Sequence, residues 1–271
     1  MSDYIFTDSQ HLKELERLRA IEQVCDPASR RRIQAIGITT NWRCLEVGAG
    51  AGSIAEWMAG VVGAAGQVVA VDLNTRFLSQ IDLPNLEILE ADIRDLPLAE
   101  AAFDLVHARY VLIHLADFQV ALSRMLEFLK PGGWLVLEEP DFSAARAISG
   151  EAAACQAVDR VNRAIGQMFA NRGMDYALGI KLPSILQSRG LQPIDVENDA
   201  HLAPGGSGIA NVMKLSTLQL AEHYIATGEA SRADVDQYCR FAEDPKSWAI
   251  YHATVRVNAQ NRSAKKDKVK P

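Results

Sequence analysis

Apolar positions recur along this chain in two rhythms. From Asp8 to Ile36 they keep helical spacing, with Leu12, Leu15, Leu18 and Ile21 on one stripe, and Asp26-Pro27 interrupts it. The pattern predicts two helices, the second from Ala28 to Ile36. Short runs that are apolar almost throughout come next: Arg43 to Val47, Val68 to Asp72, Leu86 to Asp92, Phe103 to His107 and Trp134 to Glu138. Each has the length of a buried strand, and helical segments such as Ile54 to Val62 and Asp117 to Leu129 stand between them. Strands apolar on both faces and joined by helices imply a parallel sheet covered on both sides.

After Glu138 the rhythm changes. Ala144 to Arg172 is alanine-rich and helical, with no strand signal, and Tyr176 to Ser188 resumes a helix that Arg189-Gly190 ends. Leu191 to Leu202 and Ser247 to Asn258 supply two further strands, with helices over Val212 to Thr227 and Arg232 to Ala242 between them. The predicted fold is α/β: a doubly wound, mainly parallel seven-stranded sheet with N-terminal helices and an inserted helical cap. The predicted organisation is a helical lid over 1–36, a core over 37–143, a cap insertion over 144–174, the rest of the sheet with pocket loops over 175–260, and a basic tail over 261–271.

Composition narrows the class. A hydrophobic share of 48% with 23% charged residues is that of a soluble globular enzyme. The net charge of -6 argues against nucleic acid as a partner, because phosphate neutralisation needs a basic face. The basic run Arg262 to Lys270 reads as a solvated tail. Cys25, Cys44, Cys155 and Cys239 lie far apart, which disfavours zinc or a disulfide framework and fits a reducing cytoplasm. The first eight residues are acidic where a signal peptide is basic, and no apolar run reaches the ~20 residues that span a bilayer, so no membrane partner is expected.

Chemistry enters at Glu46-Val47-Gly48-Ala49-Gly50-Ala51-Gly52, between the first strand and its helix. Glycines there allow a tight turn and a close approach of backbone to ligand, and this loop sits where an α/β sheet binds ligands. Nicotinamide and flavin enzymes use G-x-G-x-x-G for the same reason, but Ser53 stands at that pattern's third glycine. Glu46 suits the ammonium of an amino-acid moiety better than a pyrophosphate.

With these residues the stretch from Trp42 to Phe142 resembles the class I S-adenosylmethionine-dependent methyltransferases, a family with a Rossmann-like sheet. The resemblance implies S-adenosylmethionine as cofactor, with Gly48, Ala49, Gly50 and Gly52 as its cradle and Glu46 on its amino-acid end. It implies Asp72 on the ribose hydroxyls with Leu73 against the adenine, and Asp92 with the Ile93 amide at the adenine amino group. The segment Phe103 to Leu115, with Ala108 and Arg109, is similar to the family's contact with the methionine portion, and Leu129-Lys130-Pro131-Gly132-Gly133-Trp134 to its turn into strand five. Against these roles, Asp72 and Asp92 could be helix N-caps, and Glu46 the partner of a buried base. Asp104 reads as structural.

The implied reaction is methyl transfer to an O, N or C atom of a small-molecule acceptor by in-line displacement. It needs alignment above all, and a base only where the nucleophile loses a proton. His114, past strand four, is the candidate catalytic base, with a histidine packed at the next helix as the alternative. Tyr110 and Arg109 sit closer to the loop, with Arg109 free to salt-bridge locally or to pair with an acidic acceptor, and Tyr4 is a candidate lid residue. Glu138, Glu139 and Asp141 at the end of strand five could receive an amine, act as a base, or pair with Arg146. Gly205-Gly206-Ser207-Gly208 lacks P-loop spacing and reads as a flexible loop by the acceptor pocket. No Asn-Pro-Pro-Tyr-type segment follows strand four, which counts against DNA-base and protein-glutamine methylation. A binding enzyme that transfers no methyl, a regulatory cofactor-binding protein and, last, a nicotinamide oxidoreductase stay open as alternatives. So does a homodimer.

Overall fold

The structure, a computed structural model, describes residues 11–262. It begins with α1 (His11–Ala35), and then strands and helices alternate: β1 (Arg43–Val47), α2 (Ser53–Val62), β2 (Gln67–Asp72), β3 (Leu86–Glu90), β4 (Phe103–Arg109), α3 (Phe118–Phe128) and β5 (Leu129–Asp141). A second stretch holds β6 (Arg146–Ser149), α4 (Ala152–Asn171), α5 (Leu178–Ser188), β7 (Ile194–Asp199) and β8 (Leu202–Pro204). The chain closes with α6 (Gly208–Gln219), α7 (Ala221–Ala226), α8 (Arg232–Glu243), β9 (Trp248–Ile250) and β10 (Ala253–Gln260).

Seven strands make the main sheet, in the order β3-β2-β1-β4-β5-β10-β7, with β10 antiparallel to both its neighbours and the rest parallel. The predicted doubly wound Rossmann-like sheet is therefore present. Val68, Val69 and Ala70 of β2 and Leu105, Val106 and Ala108 of β4 are fully buried, as strands covered on both faces must be. The chain reverses direction across the sheet between β1 and β4, so a crevice opens at the carboxyl ends of those two strands.

Three elements differ from expectation. The N-terminal segment is one helix that continues through Pro27. Proline removes one intrahelical bond at Gln23, but packing and bonds on both sides of it hold the helix. Cys25, Ser29 and Ile33 are buried, Ser29 donates to the Cys25 carbonyl, Arg109 donates to Asp26 and Ser29, and Arg32 donates to Asp195. The cap insertion opens with a strand, β6, which the alanine-rich composition concealed. It pairs with β9, and β9 pairs with β8, giving a small second sheet. The expected strands Leu191 to Leu202 and Ser247 to Asn258 each break in two, at Ala200-His201 and at Tyr251-His252, because each serves both sheets.

The Gly205 loop is not slack. Gly205 and Gly206 donate to the carbonyls of Ser247 and Ala242, and the Ser207 hydroxyl accepts from Ala210 N–H to cap α6. A Cβ on Gly205 would lie 2.2 Å from the Asp244 carbonyl oxygen, so glycine is required for this close approach. Asn261 is tied to the Leu129 and Lys130 carbonyls, so the expected tail does not start at 261. Tyr4 and the tail from residue 263 lie outside the described residues. Among the described residues no helix is long and apolar enough to cross a membrane.

Candidate active site

At the crevice beyond β1 and β4 lies a cavity of about 390 Å³, bounded by α1, the glycine loop, the ends of β2 and β4, and α6 with α7. Gly48 sits at φ +69, and Gly48 and Ala49 donate to the Val71 carbonyl, so the loop is pinned to β2. A Cβ on Gly48 would stand 2.4 Å from Val111 Cγ2. The positive φ and this close approach both demand glycine. Asp72 at the end of β2 accepts from Gly50 N–H at 2.8 Å and from Asn74 N–H at 3.0 Å. It caps no helix itself, since Asn74 performs that task for the following turn. A carboxylate has about four acceptor sites, and these two bonds leave capacity for hydroxyls of a ligand. Burial raises its pKa, against the backbone N–H donors of Gly50, Asn74 and Leu73.

Leu73, Asp92 and Ile93 line the same end of the cavity. Arg94 grips both oxygens of Asp92, at 2.7 Å at the shortest, and its hydrogen bonds hold that carboxyl below the usual range. Two of the residues singled out from sequence do not reach the cavity. Gly52 faces the packing behind the loop, where a Cβ would meet Ile81 Cδ1 at 2.3 Å, and its φ of +95 launches α2. Ala108 is fully buried inside β4, because alternate residues of a strand point to opposite faces.

Glu46 borders the cavity and is also the partner of a buried base: its carboxylate lies 2.6 Å from His107 Nδ1. The other nitrogen of His107 lies 3.1 Å from Glu138, to which Arg256 donates at 3.0 Å. Arg256 reaches on to Glu197 and Asp199 at the sheet edge. Burial opposes charge on His107, but Glu46 and Glu138 on its two nitrogens outweigh it and push the ring up to about 9. The chain thus runs an alternating row of charges beneath the glycine loop. Arg109, also bordering the cavity, is half-buried and donates to Asp26 at 3.0 Å and to Ser29 at 2.9 Å, which fastens α1 to the end of β4.

The carboxylates expected at the end of strand five are engaged elsewhere. Glu138 belongs to the His107 row. Glu139 accepts the backbone N–H groups of Val111, Leu112 and Ile113, while burial raises it to about 8. Asp141 accepts from Ser143, and Arg146 donates to the Ala144 carbonyl. Asp104 is structural, holding Lys130 and the Arg43 N–H. Among the described residues no cluster of side chains could hold a metal.

Away from the glycine loop the cavity walls turn apolar: Ile21, Phe142, Phe169, Met213 and Leu220. His114 is on this wall, and burial together with the Arg17 guanidinium lowers it to about 3. His252 and Tyr110 also border the cavity, and sequence reasoning missed the first altogether. Its only signal was a histidine inside an apolar run, at the point where the run breaks.

Residues 45–137 match a protein family described as a methyltransferase domain. The chain is 36% identical over 107 residues to Methyltransferase str2 of Strobilurus tenacellus, which is 38% of this chain and 37% of that protein. It is 34% identical over 115 residues to the ubiquinone/menaquinone biosynthesis C-methyltransferase UbiE of Pseudomonas savastanoi pv. phaseolicola, 40% of this chain and 45% of that one. The chain thus spans less than half the length of these curated relatives. Among solved structures it is similar to phosphoethanolamine N-methyltransferase 2 of Haemonchus contortus, solved with phosphomonomethylethanolamine and S-adenosylhomocysteine. That likeness has a TM-score of 0.60 at 17% identity over 97% of this chain and 61% of the other, and it concerns the fold.

Proposed function

We propose that this chain, which carries a class I methyltransferase domain over residues 45–137, transfers the methyl group of S-adenosylmethionine to a small-molecule acceptor. One observation carries the reading. Asp72, with acceptor capacity left over, and a glycine loop pinned to β2 open on the same cavity as an apolar wall that includes Ile21, Phe142, Phe169 and Met213.

The residues present fit that cofactor. Gly48 and Gly50 bring backbone within reach of a ligand, Asp72 would take the ribose hydroxyls, and Leu73 and Ile93 offer apolar faces for the adenine. Glu46, beside the charged His107, would receive the ammonium. Asp92 is committed to Arg94, so its part at the adenine amino group is shared with the Ile93 amide. Bound there, the cofactor supplies a methyl group on a sulfonium, already activated for displacement. The protein's task is to align the acceptor and exclude water, and alignment alone is worth roughly 7–11 kcal/mol in favourable intramolecular cases. Arg109 and α1 close one wall, and His114, held neutral on the cavity wall, would face the acceptor. All four cysteines are free thiols, which supports a cytoplasmic setting.

Calorimetric titration with S-adenosylmethionine and then with NAD tests the reading. A dissociation constant on the order of micromolar is expected for the first, about -8 kcal/mol. Turnover must also release one S-adenosylhomocysteine per methylated product. Binding of NAD and not of S-adenosylmethionine by the folded protein would end the proposal.

A further inference from the structure

We infer that His107 is a positioning residue of the cofactor site: it holds the Glu46 carboxylate for the ligand's ammonium, so that the amino-acid half of the ligand is read through a row of side chains running across the sheet. The inference rests on the methyltransferase reading above and deepens it.

Strand register builds the row. Glu46 on β1 stands opposite His107 on β4, Arg109 on β4 opposite Glu138 on β5, Glu138 opposite Arg256 on β10, and Arg256 opposite Glu197 on β7. Residues paired across neighbouring strands point to the same face, so one face of the sheet carries all of them side by side. Replacing a buried ion pair by apolar residues is often neutral or stabilising, so stability alone explains the row poorly. What distinguishes it is where it ends. Glu46 borders the cavity, and of its oxygens Oε2 faces His107 while Oε1 has no hydrogen-bond partner among the described residues. His107 is fully buried and does not border the cavity, so it acts through Glu46.

The ring sets both the place and the charge of that carboxylate. Its nitrogens each face a carboxylate, Nδ1 that of Glu46 at 2.6 Å and Nε2 that of Glu138 at 3.1 Å. A neutral ring has one N–H and would set a lone pair against one of them. Held up to about 9, the ring carries both protons at pH 7 and donates on both sides. Burial drives Glu46 towards its neutral form, with Glu138 on β5 working in the same direction. The His107 charge and hydrogen bond lead the opposition, ahead of Arg109. The thiols of Cys44 on β1 and Cys25 on α1, also near the row, are kept neutral by burial. A carboxylate held charged and in place receives an ammonium in a charge-assisted bond that a protonated carboxyl cannot make.

The test uses the full chain with S-adenosylhomocysteine and with 5′-methylthioadenosine, which shares the nucleoside and lacks the amino acid. In calorimetry at pH 7 the wild type should prefer the first probe. His107→Gln should weaken S-adenosylhomocysteine about tenfold, the low end for a lost bond to a charged group, and 5′-methylthioadenosine less than about twofold. The deficit should narrow from pH 6 to pH 8, because Glu46 in the variant then loses its proton unaided, whereas a packing defect would weaken both probes at every pH. In a Glu46→Gln background, His107→Gln should leave the ratio of the two affinities unchanged. Nuclear magnetic resonance of wild-type protein labelled at its histidine nitrogens needs no variant. His114 and His252, lowered to about 3 and about 4, are neutral at pH 7, so a buried ring protonated at both nitrogens is His107. Its Nδ1–H signal should move with S-adenosylhomocysteine and stay with 5′-methylthioadenosine. Equal wild-type affinity for the two probes, equal loss of both, a deficit constant across pH, or a singly protonated ring overturns the inference. If the wild type binds S-adenosylhomocysteine and the variant keeps its preference, the inference falls alone. If the wild type binds neither probe, the underlying reading falls as well.

Discussion

The cofactor end of the cavity is drawn from loops that each follow one strand: Gly48 and Gly50 after β1, Asp72 and Leu73 at β2, Asp92 and Ile93 after β3. The acceptor end takes single residues from distant places: Ile21 on α1, Phe169 on α4, Met213 on α6, Leu220 before α7 and His252 before β10. The first end is polar and made of backbone and carboxylates, the second apolar and made of side chains. On the proposed reading, specific hydrogen bonds would fix the cofactor at the first end, while shape would select the acceptor at the second. Changes at the first end should therefore act on cofactor affinity and leave the chamber alone, and changes at the second should do the reverse.

Asp72→Ala should give the largest separation. It removes the acceptor of the Gly50 N–H and, on the proposed reading, that of the ribose, and hydrogen bonds to a charged group contribute about 1.5–3 kcal/mol each. Cofactor affinity is expected to fall about 100-fold by calorimetry. Binding of an apolar probe such as 2-naphthol in the absence of cofactor should change less than twofold, and an equal loss of both would erase the distinction between the two ends.

The same difference explains what was legible in the sequence. Glycine spacing, Glu46 and the acids after strands two and three are local patterns, so the parallel sheet could be read directly, and Glu46, Gly48, Gly50, Asp72 and Asp92 are found along one cavity. Ala108 and Gly52 were misplaced because the pattern gives the neighbourhood of a residue but not which way it faces. Asp92 was read without Arg94, two positions on, because the grip depends on a rotamer. The acceptor end could not be read, since no local period announces that Phe142, Phe169 and His252 meet. β6 and β9 were hidden for a related reason: three- and four-residue strands have no period of their own and exist only through pairing.

Gly48→Ala asks how rigid the cofactor end is. The residue would need φ +69 with its Cβ pressed on Val111, a strain of about 1–3 kcal/mol. Cofactor affinity is expected to drop roughly tenfold, with a fall of a few degrees in the melting temperature, since 1 kcal/mol shifts it about 2–4 °C in a domain of this size. Gly63→Ala, also at positive φ but with open space around its Cβ, is the control for strain without the clash.

The charged row beneath the loop adds a pH dependence that belongs to the cofactor side. His107 is held near 9 in the fold, above its ordinary value near 6.5, so the folded state binds the proton more tightly than the unfolded chain. Its stabilisation is complete below about pH 6.5 and is lost as pH rises through about 9. Glu139, raised to about 8, acts in the same direction over the lower part of that window. Thermal melts from pH 6 to pH 10 should therefore show a decline of several degrees, shallower in His107→Gln. A melting temperature that rose over that range would contradict the placement of the proton on His107.

Phe142→Leu carries the smallest expected effect and speaks to the acceptor end alone. The ring packs between Phe169 and His252 at tilts of 33° and 53°, so leucine would keep the apolar wall and lose the aromatic face. Aromatic pairs of this kind contribute about 0.5–1.5 kcal/mol beyond burial, which corresponds to a weakening of roughly two- to tenfold in the binding of an apolar aromatic probe such as 2-naphthol. Asp72 and the glycine loop lie on other strands, so S-adenosylmethionine affinity should stay within twofold. Probe binding that held while cofactor affinity fell would place Phe142 on the wrong side of the boundary and move the line between the two ends to the turn after β5.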